Sequence, residues 1–159
     1  MARGKKVIQK RKTEPDILYG SRMLTKFING MMKDGKKGAA QTQVYDALEL
    51  LKGDNQDPLK LFEQAIHTVA PKMEVRPRRV GGASYQVPTE VRGDRRISLS
   101  IRWIIAASHK RSNKEFRTFS QKLAAEVKDI MAGQGEAVRK RDAMHRMAEA
   151  NRAFAHFRW

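Results

Sequence analysis

Residues 73–105 read MEVRPRRVGGASYQVPTEVRGDRRISLSIRWII, and this stretch decides the fold. Its first half holds two short extended runs, Val75 to Val80 and Tyr85 to Pro88, on either side of Gly81-Gly82. Valine and tyrosine alternating with polar residues suit strands, and paired glycines accept the positive φ of a tight reversal, which Ala83 and Ser84 would finish. Pro77 and Pro88 would each remove a ladder donor, which argues against a central strand of a wide sheet. An isolated two-stranded ribbon is expected, and since such ribbons are marginal in water it needs a partner. Arg76, Arg78, Arg79 and Arg92 make that partner a polyanion. The second half is expected to be a helix, with Asp94 as its cap. From Ile97 to Ala107 its only charge is Arg102, so it reads as apolar nearly all round and belongs at the centre of a helical domain.

The remaining chain fits one domain with a real core: 159 residues, 40% of them hydrophobic. The charge is the unusual feature, with 33 Lys+Arg against 17 Asp+Glu and a formal net charge of +16. Such an excess needs a standing anionic partner, because self-repulsion destabilises the compact state. Nucleic acid comes first and an anionic membrane surface a distant second. No apolar run approaches the roughly 18 residues of a membrane span. Residues 1–13 carry no acid, as in a transit peptide, but serine is absent there and Glu14-Pro15-Asp16 interrupts early. With zero cysteines, disulfides, thiolate zinc sites and cysteine nucleophiles are excluded.

Outward from the deciding stretch, the fold class expected is mainly α: a single domain of about six helices, with the ribbon protruding between the third and fourth. Residues 1–13 form a basic arm with Arg3, Lys5, Lys6, Lys10, Arg11 and Lys12, and residues 14–159 form the helical domain, with the ribbon at about 74–89. The first helix is expected over Tyr19 to Lys33, from Met23, Leu24, Phe27, Ile28, Met31 and Met32 at helical spacing. Next, Gly30 to Lys37 matches most of a phosphate-binding loop but fails where the chemistry lies. Lys37 stands where a Ser/Thr should hold magnesium, and a helix precedes it instead of a strand. Asp34 to Gly38 is better read as a basic turn, with Lys36 and Lys37 free to touch phosphate.

A second helix is expected from about Lys37 to Leu51, and a third opens on Asp57-Pro58, a capping acid before a first-turn proline. Their acids, Asp46, Glu49, Asp54, Asp57 and Glu63, should face away from a polyanion. The fourth helix is expected from Gly93 to His109. A basic linker with a candidate cap, His109 to Lys114, brings Lys110, Arg111 and Lys114. A fifth helix with Phe116, Phe119, Leu123, Val127, Ile130 and Met131 inward should stop at Gly133. A sixth, Glu136 to Phe154, has Val138, Met144, Met147 and Phe154 as inward candidates. The closing His156-Phe157-Arg158-Trp159 could grip a partner or dock on the protein's own surface.

Catalysis finds little support. Of the four histidines, none has a metal spacing with a carboxylate companion. His67 reads as structural, and His145, amid Arg141 and Arg146, as solvated or touching phosphate. No G-x-S-x-G elbow and no dinucleotide loop occur. No metal, cofactor or small-molecule substrate is expected. Four basic clusters on different joints, with Tyr85 as a base-stacking surface, suit a folded RNA better than duplex DNA. A DNA-associated architectural protein and an enzyme with a concealed acid–base pair are the competing readings.

Three long motifs carry a resemblance: MEVRPRRVGGASYQVPTEVR (73–92), RRISLSIRWIIAAS (95–108) and HRMAEANRAFAHFRW (145–159). Over nearly the whole chain the sequence resembles the universal small-subunit ribosomal protein seven family in its bacterial or organellar form. The resemblance implies a non-enzymatic, primary rRNA-binding protein of the cytoplasmic (or organellar) ribosome. It implies binding to the 3′ major domain, nucleation of head assembly, and a place at the subunit interface beside exit-site tRNA and the mRNA exit path. Small-subunit proteins nine and eleven are the implied neighbours. The implied rRNA contacts are the arm, Lys36, Lys37, Arg76, Arg92, Arg95, Arg96, Arg102, Lys110, Arg111 and Lys114. Arg78, Arg79, Gly81, Gly82 and Tyr85 would lie near tRNA and mRNA, and Arg152, Phe154 and Trp159 toward the platform protein. One departure is Gly93-Asp94, where many members have Pro-Glu, which is expected to loosen the start of the fourth helix. A longer tail of some members is expected to be absent after Trp159.

Overall fold

The computed structural model describes residues 13–53 and 57–158. The basic arm up to Lys12 and Trp159 lie outside the described residues. The helices are α1 (Arg22–Met31), α2 (Lys37–Leu51), α3 (Pro58–Val69), α4 (Gly93–Lys110), α5 (Phe119–Met131) and α6 (Glu136–Ala150), followed by a 3₁₀ segment (Arg152–Arg158). Strands β1 (Met73–Val80) and β2 (Ala83–Glu90) form one antiparallel ribbon between α3 and α4. The mainly helical architecture with its ribbon is therefore as expected.

Local chemistry sets most boundaries. Ser21 caps α1, its side chain accepting from the Leu24 N–H, so the helix starts two residues after the glycine turn that Asp16 closes and not at Tyr19. Asp57 caps α3 with Pro58 in the first turn. Thr118 and Gln121 form a reciprocal capping box at α5, which leaves Phe116 ahead of the helix and not in it. Helix α4 begins at Gly93 without a side-chain cap; its N-cap residue is Arg92. Asp94 sits within the first turn, 3.8 Å from Lys26 Nζ, and caps nothing. Beyond Ala150 the chain tightens into the 3₁₀ segment, so α6 stops short of Phe154.

The core gathers faces of α1 to α6. Phe27 and Phe62 meet edge to face at 5.0 Å, with Leu24, Leu48, Ile66, Ile104, Leu123 and Ile130 around them, all essentially inaccessible. Trp103 is buried within it. Helix α4 is central, as expected, but it is not apolar all round: Ser98, Arg102, Ala106 and His109 are exposed. The buried face admits Ser100 and Ser108 because each hydroxyl donates to the carbonyl one turn back, of Arg96 and Ile104. Met131 and Met147, expected inward, are exposed, as is His67.

The ribbon spans residues 73–90, close to the expected 74–89, but each strand runs longer than the extended runs read from sequence, and Ala83 and Ser84, expected to finish the turn, belong to β2. Its turn is Gly81-Gly82 alone, with φ of 57° and 88°, the left-handed pair a two-residue reversal needs. Val80 faces Ala83, Arg78 faces Tyr85, Pro77 faces Gln86 and Val75 faces Pro88. Counting from the turn, hydrogen-bonded and open pairs alternate, which puts Pro77 and Pro88 in open pairs. Their missing N–H groups therefore point outward, and neither removes a ladder bond.

Candidate nucleic-acid interface

Helix α1 turns Arg22, Lys26 and Asn29 away from the core, Lys33 follows just past its end, and α4 turns Ser98, Arg102 and His109 toward the same side as Lys26 and Asn29. Gly30 lets the two helices approach: a Cβ there would stand 3.3 Å from Ile101 Cγ2 and 3.5 Å from Ile105 Cδ1. Between them runs a groove of about 720 Å³ lined by Lys26, Asn29, Ser98, Arg102 and His109. His109 also borders the next hollow, with Lys33 and Lys36 of the α1–α2 turn. Lys37 lines a third hollow that again shares Asn29. Asp34 and Gly35, with φ of 52° and 71°, hold this turn in a left-handed bend. The basic turn and Arg102, far apart in sequence, thus lie on one continuous surface.

Lys26, Asn29 and Lys33 were not among the residues expected at a site. Their signal was present, since polar positions 22, 26, 29 and 33 follow helical spacing opposite the apolar stripe of α1. His109 stacks on Phe119 at 4.7 Å. Burial pushes its pKa below the ordinary value, and Lys33 and Lys122 push the same way, which favours the neutral ring.

A second basic group surrounds the ribbon root. Glu74 is buried, and its carboxylate accepts from Arg76 Nε at 2.6 Å and from Arg95 Nε at 2.8 and 2.9 Å. Burial raises the carboxyl's pKa, but the two guanidiniums outweigh it and hold the net value below the usual range. Arg76 and Arg95 remain about half exposed, so each is fixed from behind and open in front. Arg92 is exposed nearby, while Arg96 is half-buried with its Nε inaccessible. On the C-terminal side, Arg141 Nη1 donates to the Thr68 carbonyl at 2.6 Å. His145 is half-buried and its Nε2 accepts the Lys72 N–H at 3.0 Å, so it is a structural acceptor and not a solvated or phosphate-touching group.

The ribbon tip carries exposed Arg79, Gly81 and Gly82. Tyr85 is not an open stacking surface. It is half-buried, with the Phe154 ring at 5.3 Å and the Phe157 ring at 5.1 Å. The 3₁₀ segment docks on the protein's own ribbon and takes Phe154 with it; Arg152 stays exposed. Along the linker after α4, Lys114 is exposed, and Lys110 reaches Glu136 at 2.9 Å on the surface. Arg111 differs: its side chain is largely buried against Glu126 and Asp129.

Away from these clusters, Asp16, Glu49 and Asp57 gather about Tyr19, whose pKa is raised by burial and then by their charges. Among the described residues no group of three or more His, Cys, Asp or Glu could hold a metal ion, and no helix is long and apolar enough to cross a membrane.

The family described as Ribosomal protein S7p/S5e matches residues 2–152. The small ribosomal subunit protein uS7 of Aster yellows witches'-broom phytoplasma is 50% identical over 153 residues, covering 96% of each chain. That of Nitratidesulfovibrio vulgaris strain DP4 is 52% identical over 153 residues with the same coverage. That of Paracoccus denitrificans is 50% identical over 152 residues, 95% of this chain and 96% of its own.

Proposed function

The chain belongs to the ribosomal protein S7p/S5e family, structural and non-enzymatic proteins of the small ribosomal subunit, and from that premise we propose that it binds the 3′ major domain of small-subunit rRNA and nucleates assembly of the subunit head. The single observation that carries the reading is one basic surface: Lys26 and Arg102 line the α1–α4 groove, and Lys33 and Lys36 line the adjoining hollow that shares His109 with it, so cations from segments far apart in sequence come together. Lys37, Arg92, Arg95, Arg76 and Lys114 extend the surface, and the basic arm residues Arg3, Lys5, Lys6, Lys10, Arg11 and Lys12 add charge to the chain that binds the RNA. Arg79, with the Gly81-Gly82 tip, reaches toward exit-site tRNA and the mRNA exit path. Arg152 and Trp159 face the platform protein eleven, with protein nine as a further neighbour. The cell compartment is the bacterial cytoplasm.

The test is a salt-dependent titration of labelled 3′ major-domain RNA, challenged with tRNA and duplex DNA. With about 6–10 phosphates neutralised, affinity falls roughly 10³–10⁵-fold between 50 and 200 mM salt. Head-domain RNA stays bound at the higher salt while the competitors are shed. Lys26→Ala and Arg102→Ala each flatten the salt slope by about 0.7–0.9. Equal binding of all three nucleic acids, or slopes unmoved by both substitutions, overturns the proposal.

A further inference from the structure

The linker between α4 and α5 carries Lys114 and Arg117 at its surface, yet it has no regular secondary structure of its own. What fixes its course is Arg111. Its Nε and Nη2 donate to Glu126 Oε2 at 2.9 and 2.6 Å, and Nη2 also bonds Asp129 Oδ2. Its guanidinium carbon lies 5.7 Å from the ring centre of Phe116, within the same linker. The backbone is tied as well: Lys122 Nζ donates to the Arg111 carbonyl at 2.7 Å and to Asn113 Oδ1 at 2.5 Å. Glu126 is almost wholly inaccessible, and its other oxygen accepts the Ala137 N–H at 3.1 Å, so one carboxylate joins the linker, α5 and the start of α6.

We propose that Arg111 is a positioning residue for RNA binding and not a phosphate contact: by docking on Glu126 and Asp129 it sets the linker so that Lys114 and Arg117 meet the RNA. Its Nε and Nη2 donate inside the protein and only 19% of its side chain is exposed, whereas Lys114 and Arg117 are exposed. The guanidinium fork is the part that matters, because it spans two carboxylates while stacking on a ring, which an ammonium does not. The inference rests on the rRNA-binding reading above.

Asp129→Asn and Arg111→Lys separate the possibilities. Asp129 is half-exposed and Glu126 remains as partner, so both variants keep the fold, checked by circular dichroism. For a surface that simply attracts phosphate, deleting the Asp129 charge tightens RNA binding, and Arg111→Lys, which keeps the charge, changes little. If Arg111 positions the linker, both variants weaken binding roughly 3–10-fold and are non-additive in the double variant. In the free protein, trypsin cleavage after Lys114 and Arg117 quickens by a similar factor. Tighter binding by Asp129→Asn, or cleavage unchanged in both variants, overturns the proposal. Failure of the unaltered protein to bind head-domain RNA overturns the rRNA reading itself, and the cleavage rates still decide whether Arg111 holds the linker.

Discussion

Replacing Tyr85 with alanine isolates the contact that folds the C-terminal segment onto the ribbon. Tyr85 meets two rings, Phe154 at 5.3 Å and Phe157 at 5.1 Å, both within the separations at which aromatic pairs attract. Each such pair adds about 0.5–1.5 kcal/mol beyond area burial, so the substitution removes about 1–3 kcal/mol from docking of the segment. At 1.4 kcal/mol per tenfold, the open population rises roughly 5–150-fold. Hydrogen exchange of the 152–158 amides reads this directly, since exchange there proceeds through local opening. Exchange should quicken by that factor while the amides of α2 and α5 keep their protection. Tyr85→Phe keeps both ring contacts and should exchange like the unaltered protein. Unchanged exchange in Tyr85→Ala would show that the rings do not hold the segment. A loss of protection spread through α5 would show that the segment is part of the core and not a docked appendage.

Trp103→Ala, which empties a buried site in α4, should cost about 3–5 kcal/mol, read as a fall in urea midpoint at constant slope; a cost under about 0.5 kcal/mol would place the indole at the surface. The pH dependence follows from the direction of two shifts. His145 is held below its ordinary value of 6.5, by burial first and then by Arg141, so the folded state favours the neutral ring that accepts the Lys72 N–H. That stability is present above pH 6.5 and is lost as pH falls through the lower folded pKa. Glu74, held below 4.5 on balance, adds a second loss at lower pH, as it protonates beneath its two arginines. Thermal unfolding across pH 3–8 should show both phases, and His145→Gln should remove part of the upper one; an upper phase unaltered in the variant would refute the assignment.

The helical cores were readable because apolar residues recur at helical spacing, and the ribbon because a glycine pair sits between β-forming runs. The errors have physical origins. Helix α4 looked apolar throughout because serine and alanine were read by type. Ser100 and Ser108 are buried at little cost through bonds to their own helix, while Ala106 faces out. The α5 cap was legible as Thr118-x-x-Gln121 but was sought in the His109–Lys114 linker. Long-range partners left no local trace: His145 meets Lys72, Tyr85 meets Phe157 and Arg111 meets Glu126 across intervals that no spacing rule covers. For the groove, half was legible as basic clusters. The α1 contribution was missed because only the apolar positions of that helix were read.

The outward-facing prolines bear on how this protein survives before it is assembled. A two-stranded ribbon has two free edges, each a template for another chain's strand. By the alternation of pairs, Met73, Val75, Pro77 and Arg79 point their backbone nitrogens out along one edge, and Ser84, Gln86 and Pro88 along the other. Each row is broken by one proline that costs the internal ladder nothing. A free copy with a net charge of +16 and no polyanion bound therefore presents edges that resist strand addition and aggregation.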